Sequence, residues 1–221
     1  MRYRAVIFDL GGVVLPSPFD AFREYERRHD LPHRFISEVI VGNGETGAWS
    51  RFERGELDPS AFADAFEAEC AAAGGCVVVA DLLTALQRDD TGPRTEMVTA
   101  IRRVRHAGLR TAALTNNWMD AQGDTLGRRS SGLAEQLDEL FDVIVESARV
   151  GLRKPDPRVY SLTCERLDVR PPDAVFLDDL GANLKPARAM GMATIKVDDV
   201  GAALRDLGTV LGLDLCGDSC T

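Results

Sequence analysis

Five short stretches carry dense apolar and β-branched residues: 5–8 (AVIF), 109–115 (LRTAALT), 142–146 (DVIVE), 174–177 (AVFL) and 193–197 (ATIKV). Most are apolar at nearly every position, the pattern of strands covered on both faces, as in parallel sheets. Between them apolar positions recur at helical spacing. Ahead of the second stretch, Met97, Ile101 and Val104 form a stripe, Pro93 suits a first helical turn and Gly108 a left-handed cap. Strands alternating with helices predict an α/β fold with a doubly wound, Rossmann-like, largely parallel sheet.

Residues 16–92 break this alternation. Helical patterns follow one another there with no convincing strand, and Asp58 followed by Pro59 reads as an N-cap and first position leading to Phe62 and Phe66. We therefore expect a core of residues 1–15 and 93–221, with an all-helical cap of residues 16–92. The insertion leaves at the carboxyl end of the first strand, the edge where open α/β sheets bind ligands.

Composition narrows the class. With 45% hydrophobic and 28% charged residues among 221, the chain reads as a packed globular protein. A formal net charge of -9 opposes nonspecific attraction to nucleic acid or to an anionic membrane. No apolar run approaches the roughly 20 residues that span a bilayer, so neither partner is expected and a cytoplasmic location is. Five cysteines (Cys70, Cys76, Cys164, Cys216 and Cys220) make an odd set without paired CxxC motifs, signalling neither a disulfide framework nor structural zinc. Cys216 and Cys220 fall in a polar tail that reads as a frayed terminus. The RRVR run at 102–105 reads as the solvated face of an amphipathic helix.

Polar groups stand at strand ends four times: Asp9, then Thr115 with Asn116, then Lys154 in the loop after the third strand, then Asp178 with Asp179. Parallel strands bring these ends to one edge. Three carboxylates held together repel one another unless a cation sits among them, and hard oxygen donors without His or Cys suit Mg²⁺. Lys154 adds positive charge, while Thr115 and Asn116 add hydroxyl and amide donors, a set that suits a phosphoryl group.

The segments FDLGG (8–12), LTNN (114–117), GLRKPDPRVY (151–160) and FLDDLGANLKPARAMGM (176–192) resemble, in order and strand context, the four motifs of the haloacid dehalogenase superfamily. Within it the last two segments, with VVLPSP at 13–18, look closest to the phosphatase-like domains fused to soluble epoxide hydrolases and to certain acyl-CoA dehydrogenases. The resemblance implies that Asp9 attacks phosphorus to form an aspartyl-phosphate. Thr115 and Asn116 would bind phosphoryl oxygens, and Lys154 would neutralise nucleophile and phosphate. Asp179 and the Gly11 carbonyl would bind Mg²⁺ together with Asp9. Asp178 would act through water or orient the other ligands, and Asn183 would support Lys154 or the acidic loop. The implied substrate is a small phosphorylated metabolite.

One position departs from the pattern. Phosphatases of the superfamily usually carry a second Asp two residues after the nucleophile, where this chain has Gly11. That removes a general acid worth about 10² to 10⁴ in rate. The substrate, a metal-bound water, His29 or Glu45 would then carry the proton. A dehalogenase needs no such acid, but the Asp178–Asp179 pair argues for the phosphatase branch. A catalytically weak scaffold is the third reading. Epoxide hydrolysis is set aside for want of a second domain and of a GxSxG elbow. Trp49, Phe52 and Phe62 read either as pocket lining or as cap core, and Trp118 is placed to touch a ligand.

Overall fold

The computed structural model describes residues 2–88, 92–120, 123–125 and 132–215. Five strands, β1 (Ala5–Phe8), β2 (Arg110–Thr115), β3 (Val143–Glu146), β4 (Ala174–Asp178) and β5 (Ala193–Lys196), form one parallel sheet in the order β3-β2-β1-β4-β5. Phe8 pairs with Ala113 on one side and Leu177 on the other, so β1 is central. The chain builds outward through β2 and β3, then crosses to β4 and β5. β1 is therefore the switch point, and its carboxyl end opens on the crevice where doubly wound sheets bind ligands.

After β1 come α1 (Pro18–Arg28), α2 (Phe35–Asn43), a 3₁₀ turn (Gly44–Thr46), α3 (Ala48–Glu53), α4 (Pro59–Ala72) and α5 (Val79–Arg88). The rest alternates with the sheet: α6 (Thr95–His106), α7 (Leu133–Leu140), α8 (Ser147–Val150), α9 (Pro157–Arg166), α10 (Gly181–Ala189) and α11 (Val200–Leu211). Val6 and Phe8 pack on the face covered by Met97, Ile101 and Val104 of α6, Leu137 of α7 and Leu207 of α11. Ala5 and Ile7 point the other way, toward Val159 and Tyr160 of α9 and Leu184 of α10. Burial on both faces is why the strand sequences are continuously apolar. A third cluster, with Phe22, Ile36, Trp49, Phe52, Phe62, Phe66 and Leu82, knits α1 to α5 together.

Local signals translate well at Asp58, whose side chain accepts the Ala61 N–H at 2.9 Å with Pro59 at the first helical position. Gly108 adopts φ +86 just after α6. Pro93 differs: it lies outside α6, because Arg94 takes the extended N-cap conformation while its N–H is held by the Val14 carbonyl at 2.8 Å. The RRVR run is not simply a solvated face either. Arg105 is half-buried and anchors α6 to β2 and α7, donating to Thr111 Oγ1 and Leu140 O and pairing with Asp142 at 3.0 Å. Among the described residues no helix is long and apolar enough to cross a membrane. Cys70 and Cys164 are buried thiols and Cys76 an exposed one. Cys216 and Cys220 lie outside the described residues.

Candidate active site

The switch point sets β1 between β2 and β4, so Asp9, Thr115 and Asp178 end three adjacent strands. The Asp9 N–H donates to Leu177 O at 2.9 Å, prolonging the ladder by one residue, and its Oδ1 accepts the Leu10 N–H at 2.7 Å. The nucleophile candidate is thus fixed by backbone on both sides.

Lys154, 1% exposed, reaches the same point from the loop after α8. Its Nζ lies 2.7 Å from Asp9 Oδ1 and 2.8 Å from Asp178 Oδ2. Asp178, fully buried, also accepts the Leu180 N–H at 2.8 Å and the Asn183 Nδ2 at 3.0 Å. Asn183 is held in turn, as its carbonyl accepts the Tyr160 hydroxyl at 2.7 Å. Of the two supports expected of it, Asn183 meets the acidic loop and not Lys154.

Carboxylate oxygens of Asp9, Asp178 and Asp179 lie within 4.8 Å of one another. One ammonium faces three carboxylates, and Asp9 and Asp179 both sit above the usual carboxylate range, chiefly because they are buried. Burial, aided by the charge of Asp178, pushes Asp179 up to about 6. Burial also holds Asp9 well above the usual carboxylate range, against the pull of Lys154. Burial works against the Lys154 ammonium, but Asp9 and Asp178 outweigh it and raise its pKa. A site of hard oxygen donors with surplus negative charge fits a divalent cation such as Mg²⁺.

Two glycines shape this edge. Gly12 has φ +80, and a Cβ there would overlap the Asp179 carboxylate. Glycine is therefore required both for the turn and for the approach of Asp179, a role that sequence reading missed although the Gly-Gly pair signalled a tight turn. A Cβ at Gly11 would lie 3.3 Å from Pro18 Cδ, at the start of α1.

Asn116 is placed at the site but differs from expectation in what its side chain does. Its Nδ2 donates to Lys154 O at 3.0 Å and its Oδ1 accepts the Lys154 N–H at 2.8 Å, a two-point clamp on the backbone. The amide thus holds the Lys154 backbone through one Nδ2 hydrogen and Oδ1. The Thr115 hydroxyl makes only a 3.5 Å contact with the Asn116 carbonyl, too long to fix it, and stays able to turn.

His29 and Glu45, the two helical-segment groups expected to carry a proton, each meet a neighbouring side chain. His29 is exposed and stacks on Tyr25 at 4.1 Å, while Glu45 pairs with Arg54 and Arg153. Trp49, Phe52 and Phe62 are buried against one another. Trp118 stacks on Phe52 at 5.9 Å, joining the loop after β2 to the helical cluster.

Residues 3–191 match the family described as haloacid dehalogenase-like hydrolase. Acyl-CoA dehydrogenase family member 10 of Mus musculus is 38% identical over 218 residues, covering 96% of this chain and 20% of that protein. Bifunctional epoxide hydrolase 2 of Sus scrofa is 35% identical over 223 residues, covering 97% of this chain and 40% of that protein. The chain thus spans less than half the length of either relative. A Bacteroides thetaiotaomicron enzyme of the HAD family, solved in complex with magnesium and inorganic phosphate, superposes with a TM-score of 0.58 at 17% identity, covering 88% of this chain and 93% of that one.

Proposed function

Since the chain belongs to the haloacid dehalogenase-like hydrolases, we propose that it is a Mg²⁺-dependent phosphomonoesterase acting on a small phosphorylated metabolite through an aspartyl-phosphate on Asp9. The observation that carries this reading is the buried Asp9–Lys154–Asp178 chain of ion pairs with Asp179 beside it. Residues 16–92 act as the cap and 1–15 with 93–221 as the catalytic core. The free thiols suit a reducing compartment, hence the cytoplasm.

Asp9, Asp179 and the Gly11 carbonyl would hold Mg²⁺, which would supply charge compensation for the phosphoryl oxygens. The Asp178 oxygens are already engaged by Lys154, Leu180 and Asn183, which favours its orienting role. The free oxygen of Asp9 attacks phosphorus as the ester P–O bond breaks; water then attacks the phosphorus, releasing phosphate and restoring Asp9. The Thr115 hydroxyl and the Asn116 backbone N–H receive phosphoryl oxygens. Lys154, pinned between two carboxylates, offsets the charge that gathers on the nucleophile side. With Gly11 in place of an acid, the departing alkoxide takes its proton from water or from the phosphoryl group itself. Good leaving groups are therefore the preferred substrates.

The test is a panel of phosphate monoesters and halogenated acids, with Mg²⁺ and with chelator, on wild type and Asp9→Asn. We expect Mg²⁺-dependent phosphate release that Asp9→Asn abolishes. Halide release that survives chelation would transfer the protein to the dehalogenase branch.

A further inference from the structure

Arg153, the neighbour of Lys154, serves a different set of charges. Its Nε donates to Glu53 Oε2 at 2.7 Å and a terminal nitrogen to Glu45 Oε1 at 2.6 Å. Glu53, at the end of α3, also accepts the Trp49 indole N–H at 3.0 Å, and Glu45 accepts from Arg54 at 3.2 Å. The Arg153 and Glu53 side chains are only 15% and 10% exposed. Around this pair the seam is close-packed. Trp49 meets Trp118 at 5.5 Å, Phe52 stacks on Trp118, and a Cβ at Gly55 would lie 2.6 Å from the Ala148 carbonyl. Helix α3 and the turn after it are thus seated directly on the loop that follows β2 and on α8, which follows β3.

A nearly buried ion pair gains little net stability, because desolvation offsets the Coulomb attraction, but it is favourable in only one geometry. Here that geometry links α3 to residue 153. Residue 154 is clamped from the other side by Asn116, so a shift of α3 that pulls on Arg153 acts directly on the placement of Lys154.

We propose that Arg153 is a positioning residue: by joining Glu53 and Glu45, it makes the seating of α3 and the placement of the Lys154 ammonium a single event. The catalytic consequence rests on the phosphatase reading; the structural coupling does not.

The chain has two tryptophans, Trp49 and Trp118, and they lie on opposite sides of the seam, so their emission reports seating without substrate. Placement of Lys154 is read independently, by mass spectrometry of its acetylation with acetic anhydride, since a buried ammonium is protected. In Arg153→Met we expect red-shifted, more quenchable emission and faster acetylation of Lys154. We also expect kcat on p-nitrophenyl phosphate to fall by about tenfold or more, while KM changes by less than about threefold. Arg153→Lys should recover part of all three signals. Calorimetric Mg²⁺ affinity should stay at the wild-type value, because no expected ligand is touched. If Arg153→Met does not fold, Glu45→Gln, altered at an exposed carboxylate, should move emission and acetylation in the same direction by a smaller amount. Emission that shifts while Lys154 stays protected overturns the coupling, as does a kcat loss with both reporters unchanged. A wild type inactive on every ester would sink the phosphatase reading alone, leaving emission and acetylation to decide the coupling.

Discussion

At the scale of single residues the two glycines after Asp9 have different jobs. Gly12 is required by its conformation and by Asp179, so Gly12→Ala should displace that carboxylate and add about 1 to 3 kcal/mol of backbone strain. Calorimetric Mg²⁺ titration with thermal unfolding checks this; unchanged Mg²⁺ affinity would mean that Asp179 is not a ligand. Gly11 has ordinary backbone and only the Pro18 ring to displace, by a few tenths of an ångström. Gly11→Asp should therefore fold and accelerate esters of poor leaving groups, up to about 10²-fold if proton transfer limits the rate, while activated esters change little. Equal effects on both ester classes would show that another group already supplies the proton.

At the scale of elements, three helices of the insertion are capped from a distance. Glu26 on α1 accepts the N–H groups of Arg34 and Ile36 at 2.9 Å, closing the start of α2. Glu69 on α4 accepts the Ala48 N–H of α3 at 2.8 Å, and Glu67 the Val79 N–H of α5 at 2.9 Å. Each bond satisfies an orphan donor and also joins two helices. Glu26 is 2% exposed, so Glu26→Ala strands two donors and should cost about 2 to 4 kcal/mol in denaturant unfolding. Asp58→Ala, which loses one exposed local cap, should cost about 1 kcal/mol. Equal losses would mean that the distant caps add nothing beyond ordinary capping.

At the scale of the whole molecule, the site is assembled from parts that do not fold as one unit of sequence. Three carboxylates and one ammonium are brought together by the strand order, and their surplus negative charge opposes the compact state, a cost that a bound cation would relieve. Mg²⁺ at a hundred times its dissociation constant should stabilise the protein by about 2.7 kcal/mol, read as a rise in the unfolding midpoint that chelator reverses. A midpoint indifferent to Mg²⁺ and chelator would remove the metal from the mechanism.

How much of this was legible along the chain follows from the range of each interaction. The five strands, the Asp58 cap, the buried Phe62 and Phe66, and the residue types at the strand ends were readable, because periodicity and local backbone preference act over a few neighbouring residues. Asp9, Asp178 and Asp179 stood out for the same reason, as ionisable side chains ending apolar runs, and Lys154 stood out in the loop after the third run. Only the tertiary structure decided that β1 lies between β2 and β4, that the Asn116 amide holds Lys154, and that Glu26 closes α2. Arg153 and Glu53 are 100 residues apart in sequence, and nothing in either neighbourhood names the other. A carboxylate or an amide bonds whatever complementary group the packing delivers, so its residue type is written in the chain but its partner is not.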